Sequence, residues 1–569
     1  MKLSSFLLLP VILFCYSALS QARYDIVIDE IMADPSPQVG MPNTEWIELL
    51  NASTTPINLQ GWRIGDPTGL SGTMPNFILQ PDSFVIICAN SSAAELSSFG
   101  TTITVTAFPS LDNDGDEIYL KASNGFIVHA VSYSSSWYQN ELKKSGGWSL
   151  EMIDTENPCS GPSNWRASLD LSGATPGRKN SVEGLNADNA APILERTYSI
   201  DSITIVAVFN EPLDSSQGAS IVNYSIDGGL SISSATPLSP IFNKVQLNLI
   251  NPMLADQVYH LKVNNVSDCK GNMIGFKNEA KAGMTSDASA REMVVNEILF
   301  NPRVNAYDYV EFYNRSHKIF DANKLFAANR NSSNIISSIR QLSETPFNIF
   351  PGDYVVITED ADNLQLNYLV KNSDEVLILP IMPSYPDDKG DVILLNMQGE
   401  IIDEVKYNRD WHFKLITDDE GIALERVDAG ALSQDASNWH SAASTVGYGT
   451  PTYQNSQSRN MQTTNATIEI TPTIFSPDND GRDDFAIIQY QVSDPGFVAN
   501  ISIFDAIGRP VRLLVKNEPL GLKGFWNWDG LGEKANKLPV GVYVIFTEIF
   551  NLQGKKDHFK NSIILAKHL

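Results

Sequence analysis

Apolar residues in this chain come in short bursts. Ile26-Val27-Ile28, Phe84 to Ile87, Tyr354 to Ile357 and Val392 to Leu395 are β-branched or aromatic runs set between clusters of Gly, Pro, Asn and Asp. A burst of that length between turn formers is the signature of a β-strand: branched side chains fit a pleated surface, and the flanking residues reverse the chain. The mature chain shows no long 3.6-residue period and no sustained heptad. Many short strands at turn-punctuated spacing predict an all-β fold of sandwiches, because a one-faced sheet must bury its apolar side against another.

The strand pattern is repeated. Asp29-Glu30-Ile31 followed by Glu45-Trp46-Ile47-Glu48-Leu49-Leu50-Asn51 is answered by Asn296-Glu297-Ile298 followed by Asp308-Tyr309-Val310-Glu311-Phe312-Tyr313-Asn314. Gly115-Asp116 opens a run through Leu120, and Gly390-Asp391 opens one through Leu395. Gly147-Trp148-Ser149-Leu150-Glu151 matches Gly421-Ile422-Ala423-Leu424-Glu425, and Ser163-Asn164-Trp165 matches Ser437-Asn438-Trp439. Each copy closes on Thr-Pro and then Asn-Ser: Thr175-Pro176 to Asn180-Ser181, and Thr450-Pro451 to Asn455-Ser456.

The N-terminus departs from this pattern. Lys2, an apolar stretch from Phe6 to Tyr16 broken only by Pro10, and the small residues of Ala18-Leu19-Ser20 predict a signal peptide over residues 1–20, cleaved before Gln21. The stretch is shorter than the about 20 residues of a membrane-spanning helix, and no later segment is apolar enough to span a bilayer. The expectation is therefore a secreted or cell-surface chain, not an integral membrane protein. Its 569 residues suggest roughly four domains at about 150 residues each. A formal net charge of −26 repels nucleic-acid phosphate and excludes a nucleic-acid partner. Cys88, Cys159 and Cys269 follow the leader, far apart and odd in number, so they imply no disulfide framework. They read as small buried hydrophobes or as one opportunistic bridge with a cysteine left over.

Taken as a set, the Asn/Asp-Glu-Ile opening, the Glu-bearing strand, the Gly-Asp strand and the Ser-Asn-Trp to Thr-Pro ending resemble the lamin-tail domain, an immunoglobulin-like β-sandwich. The resemblance covers residues 22–185 and 288–456. The coiled-coil rod of a lamin is missing, so a nuclear-lamina role is not implied. Between the copies, residues 188–287 carry Phe209-Asn210-Glu211-Pro212-Leu213 and Asp268-Cys269-Lys270-Gly271-Asn272, which are similar to the Ig-like module of bacterial surface-layer proteins. A polar tract at 457–467 reads as a flexible linker. Residues 468–569 contain Ile474-Phe475-Ser476-Pro477-Asp478-Asn479-Asp480-Gly481, Trp528-Asp529-Gly530 and Pro539-Val540-Gly541-Val542-Tyr543. That series resembles the C-terminal Ig-like domains of type IX secretion cargo and gliding-associated proteins of Bacteroidota, and implies an export or attachment module. Four Ig-like sandwiches in series are expected.

Candidate chemistry is sparse. There is no Gly-x-Ser-x-Gly elbow, no phosphate-binding glycine loop and no pair of histidines at metal-ligand spacing. Paired carboxylates, Glu45 with Glu48 and Asp308 with Glu311, sit three apart on a strand and so face opposite ways. Glu30 with Glu48, and Glu297 with Glu311, converge if their strands are neighbours. Their economical role is structural, accepting backbone N–H groups or pairing with arginine. Asp478, Asp480, Asp483 and Asp484 form a glycine-broken acidic loop suited to calcium, and Asp112-Asn113-Asp114-Gly115-Asp116 is a second acidic turn. Trp62, Trp137, Trp148 and Tyr138 are either core aromatics or a stacking surface for a ligand. The expected function is non-catalytic binding or scaffolding. Its expected partners are a surface protein or a glycan and the outer-membrane export machinery. The alternatives are an accessory part of a secreted hydrolase or nuclease system and a purely structural surface spacer.

Overall fold

The computed structural model describes residues 22–416, 418–458, 466–552 and 554–567. The expected signal peptide and its cleavage site lie outside the described residues.

Strands dominate, and the longest α-helix among the described residues is Ala361–Asn367. Among the described residues no helix is long and apolar enough to cross a membrane. The first module stacks a six-stranded sheet on a four-stranded one. The larger sheet runs, edge to edge, Trp165–Ala167, Leu150–Met152, Ile26–Met32, Trp46–Asn51, Phe84–Ala89 and Thr102–Val105. Its last pair is parallel and the others antiparallel. The second module reproduces that order with Trp439–Ser441, Leu424–Arg426, Met293–Leu299, Tyr309–Asn314, Tyr354–Thr358 and Val376–Ile378, again parallel only at the last pair.

Alternation along the strands builds each core. Ile47 and Leu49 turn inward against Ile118, Leu120 and Val128, as Val310 and Phe312 do with Val392, Leu394 and Val405. Each such side chain, fully buried, contributes about 1.5–3 kcal/mol of transfer free energy. Trp62 and Tyr138 are buried in the first core, and Trp137 and Trp148 pack half-buried against it. The stacking surface read as one option from the sequence is therefore core packing.

The strands of the middle module fall in a four-stranded and a three-stranded sheet. Phe209, Leu213, Val245, Leu247, Leu261 and Val263 lie in its core. The C-terminal module pairs a three-stranded with a five-stranded sheet around Phe475, Ile501, Ile503, Trp528 and Ile545. Gly541–Asn551 and Lys556–Leu565 form its terminal antiparallel hairpin. By contacts the chain divides into two compact units, 1–195 with 206–250 and 261–280, and 196–205 with 251–260 and 281–569.

The cysteines follow the reading that allowed one bridge, and the linker needs narrowing. Cys159 and Cys269, 110 residues apart, form a disulfide, while Cys88 is a free buried thiol whose pKa burial pushes up to about 11. The tract 457–467 is narrower as a linker than its composition suggests. Gln457 is buried, donating from its backbone to Glu425 and from its side chain to Ser441 O and Leu520 O, and Thr467 already opens a strand. Its side-chain amide satisfies buried acceptors, which composition alone does not reveal. Residues 459–465 lie outside the described residues.

Candidate functional site

The carboxylates singled out in the sequence meet, with one partner more than expected. Strand pairing sets Glu30 opposite Glu48 on one side and Glu151 on the other, and sets Glu297 between Glu311 and Glu425. Each module thus holds a row of three glutamates across three neighbouring strands, every one fully buried. A β-bulge makes the middle member possible. The register shifts between Ile28 and Glu30, and again between Val295 and Glu297, so an extra residue, Asp29 or Asn296, is inserted ahead of the glutamate.

The Thr-Pro ending of each repeat is a strap laid over the row. Thr175 N–H donates to Glu30 at 2.8 Å, Thr175 Oγ1 to Glu151 at 2.9 Å and Gly177 N–H to Glu48 at 2.5 Å. Ser181 Oγ and Val182 N–H complete Glu151 at 2.7 and 3.1 Å. In the second module Thr450 N–H donates to Glu297 at 2.9 Å and Thr452 N–H to Glu311 at 2.6 Å. Ser456 Oγ and Gln457 N–H donate to Glu425 at 2.7 and 2.8 Å. Proline between the two donating residues has no N–H, so the strap crosses the row without stranding a donor.

This arrangement serves the fold rather than a substrate. Two carboxyl groups side by side suit glycoside chemistry only when sugar and water can reach both, and here strap and sheet close over them. Burial first, and the neighbouring acids next, hold Glu30, Glu48 and Glu311 well above the ordinary carboxylate range and push Glu297 up to about 8. The arginine pairing anticipated as one role goes to a different acid: Arg426 Nη1 lies 3.2 Å from Asp403. Glu45 and Asp308 stand outside the rows, just ahead of their strands, and Glu45 accepts Leu111 N–H at 3.0 Å. The third row members, Glu151 and Glu425, were visible only as repeat landmarks. The signal that marks them is a lone acid inside Leu-Glu-Met or Leu-Glu-Arg of a fully buried strand.

On the C-terminal acidic loop, one carboxylate oxygen each of Asp478, Asp480 and Asp484 lie within 4.8 Å of one another. Asp483 is not in that cluster. It holds a left-handed φ of 50° and sits 3.8 Å from Arg482. Asp484 accepts Asn479 N–H and Gly481 N–H at 2.6 and 2.9 Å, which folds the loop back on itself. A cleft of about 550 Å³ opens beside it, lined by Pro477, Asp484, Phe485, Asp529 and Leu538 among others. Asp112, Asp114 and Asp116 form no three-carboxylate cluster among the described residues.

Comparison with known proteins gives a partial likeness. Residues 20–135, most of the first module, match the family model described as the Lamin Tail Domain. No curated protein matches the sequence. Among solved structures the chain is similar to the N-terminal part of the bacterial S-layer protein SbsC (16% identity over 29% of this chain and 40% of that one, TM-score 0.16). It is also similar to a longer SbsC chain, residues 31–844 (10%, 66% and 55%, TM-score 0.16). A third is PorZ, a surface component of the type-IX secretion system of Porphyromonas gingivalis (10%, 92% and 74%, TM-score 0.16). The chain spans about half the length of the S-layer chains it matches, 40% and 55%. The chain is an all-β protein of several sandwiches, and within its first module residues 20–135 are similar to the lamin tail domain.

Proposed function

We propose that this chain is an exported, non-catalytic surface protein of a Bacteroidota-type bacterium, with both six-on-four sandwiches acting as lamin-tail interaction modules. The carrying observation is the pair of strap-covered glutamate rows. The conspicuous acids of both modules are spent on holding the fold, which leaves recognition to the loops at the sandwich ends. The partner class is another surface protein or a glycan. The C-terminal module, residues 468–569, serves export through the outer membrane or attachment to it. Deleting it in the native host and fractionating the cells tests this. Truncated chain held in the periplasm supports the assignment, and unchanged surface or medium levels defeat it. A glycan array together with a whole-cell pull-down separates a binder from a spacer. A co-purifying hydrolase or nuclease would instead favour the accessory role.

The same module takes calcium at Asp478, Asp480 and Asp484, with Asp483 outside the ligand set. Oxygen-only donors on a glycine-broken loop suit that ion. Hydrogen exchange in the peptide spanning 478–484 slows in millimolar calcium relative to EDTA if this holds, and is unchanged if the loop is only a turn.

A further inference from the structure

Asp188, in the segment joining the first and middle modules, meets two acids of the middle module, Glu211 and Asp268, and one carboxylate oxygen of each lies within 4.8 Å of the others. Asp268 is 1% exposed and Glu211 8% exposed. Neighbouring groups hold the two aspartates in place. Asp268 Oδ1 accepts Lys270 N–H and Asn272 N–H at 2.8 and 2.9 Å, and Asp188 Oδ2 accepts Ser160 Oγ at 2.9 Å. The Asn272 amide ties both together, donating to Asp268 Oδ2 at 2.7 Å and to Asp188 O at 3.1 Å. Gly271, at φ +91°, permits the turn that aims them.

Glu211 is the exception. It is 8% exposed, and among the described residues its only hydrogen bond is a 3.5 Å contact from Asn210 Nδ2 to Oε1. Among the described residues no lysine or arginine forms an ion pair with any of the three acids. A buried carboxylate aimed at two others without a cation is uncompensated charge, which folded proteins avoid unless a proton or a metal supplies the balance.

We propose that Asp188, Glu211 and Asp268 form a divalent-cation site that couples the first module to the middle one, and that its ion is calcium. The donors are all hard oxygens, with neither imidazole nor free thiol among them, which favours calcium over zinc. The surrounding junction is built to hold a fixed geometry. The Cys159–Cys269 disulfide joins the first module to the residue next to Asp268, and Lys270 Nζ donates to Glu156 O at 2.9 Å. Arg23 stacks over Tyr24 and Phe242 at 4.8 and 4.3 Å and donates to Ser215 Oγ at 3.3 Å. The ion supplies the one missing counter-charge and stiffens the joint. This site is independent of the C-terminal loop, more than 200 residues further along the chain.

The test uses the full mature chain with calcium chloride as the probe. At about 1 mM calcium, a concentration typical of extracellular sites, hydrogen exchange in peptides covering 186–193 and 266–273 slows at least threefold relative to EDTA. The peptide covering 478–484 reports the other loop separately. Glu211→Gln and, as a milder variant on the connecting segment, Asp188→Asn each abolish the slowing at the junction and lower the calcium bound per chain by one in equilibrium dialysis. Junction peptides that exchange equally with and without calcium overturn the proposal, as does unchanged stoichiometry in either folded variant.

Discussion

In the first module Ile28 N–H donates to His129 Nδ1 at 2.7 Å, and His129 Nε2–H donates to Pro158 O at 3.2 Å. In the second, the matching Val295 N–H donates to Asp403 Oδ2 at 2.8 Å, and Asp403 faces Arg426, which occupies the position of Met152. The same backbone donor is therefore satisfied once by a neutral ring and once by a buried ion pair. Burial lowers the His129 pKa to about 3, so the ring stays uncharged and needs no counter-ion. Asp403 needs one, and Arg426, fully buried, also caps Val295 O at 2.7 Å. The two modules share a scaffold but differ in whether the residues at these two positions are uncharged, as His129 and Met152 are, or an ion pair, as Asp403 and Arg426 are. Residues at such positions can be exchanged only as pairs.

The glutamate rows differ in the same spirit. Asn296 Nδ2 donates to Glu311 at 2.8 Å and Tyr309 OH to Glu297 at 2.6 Å. The first module has Asp29 and Trp46 at those positions. There, Asp29 Oδ1, Glu30 Oε2, Glu48 Oε1 and Trp46 Nε1 are buried without a partner, whereas no glutamate of the second row has an unpartnered oxygen. A carboxylic acid in place of an amide leaves the first row short of donors.

The largest effect is expected from breaking the charged pair. Arg426→Met leaves Asp403 buried beside no cation, at a cost of about 3–5 kcal/mol. Adding Asp403→His, which restores the first module's combination, recovers part of that loss. Denaturant melts of the full chain, with hydrogen exchange reporting on 293–299, distinguish the outcomes. A double variant no more stable than the single one shows that the two modules do not follow one rule. Linkage adds a pH signature in the first module. The unfolded chain protonates His129 below about pH 6.5 and the folded one does not, so its contribution is lost as pH falls through that range.

The strap gives the next contrast. Gly177 and Thr452 occupy one position, both with positive φ, at 78° and 69°. A Cβ on Gly177 would lie 2.8 Å from Phe99 O, whereas Thr452 Oγ1 accepts Lys371 N–H and Asn372 N–H at 3.1 and 3.0 Å. Those two bonds offset the strain of a branched residue in the left-handed region. Gly177→Thr should cost about 2–3 kcal/mol, combining strain with overpacking. Thr452→Gly should cost about 1 kcal/mol or less, because strain relief offsets the lost bonds. Equal losses in thermal melts of the two variants would contradict this account.

Much of this was legible in the sequence. Short apolar bursts announced the strands, and the spacing from Asp29-Glu30-Ile31 to Thr175-Pro176 announced the duplication. Glu30 with Glu48, and Glu297 with Glu311, were already candidates for facing pairs. What stayed hidden depends on register. A bulge at Asp29 or Asn296 breaks the two-residue period, so no periodicity assigns those side chains a face. The Cys159–Cys269 bridge joins two modules, and sequence spacing carries no information about how they approach. Glu211 and Asp268 lie in two separate stretches of the Ig-like resemblance, and no spacing links them to each other or to Asp188.

An effect smaller than that of Gly177→Thr is the most diagnostic for the rows. Asp29 is pushed from 3.8 up to about 8, by burial first and by Glu151 and Glu183 after it. Across that window the folded chain keeps a proton that the unfolded chain has released. Stability from this group is therefore full below the unfolded pKa and is lost as pH rises towards 8. Asp29→Asn installs the second module's residue, which does not titrate and has an amide able to reach Glu48. It should stabilise the first module by about 1–2 kcal/mol above pH 8, the range of one satisfied buried polar group, and by little at pH 4. Hydrogen exchange at 26–32 and 46–51, compared at the two pH values, reads the difference. An equal gain at both would mean that Asp29 acts through packing, and the shortage of donors in the first row would lose its physical basis.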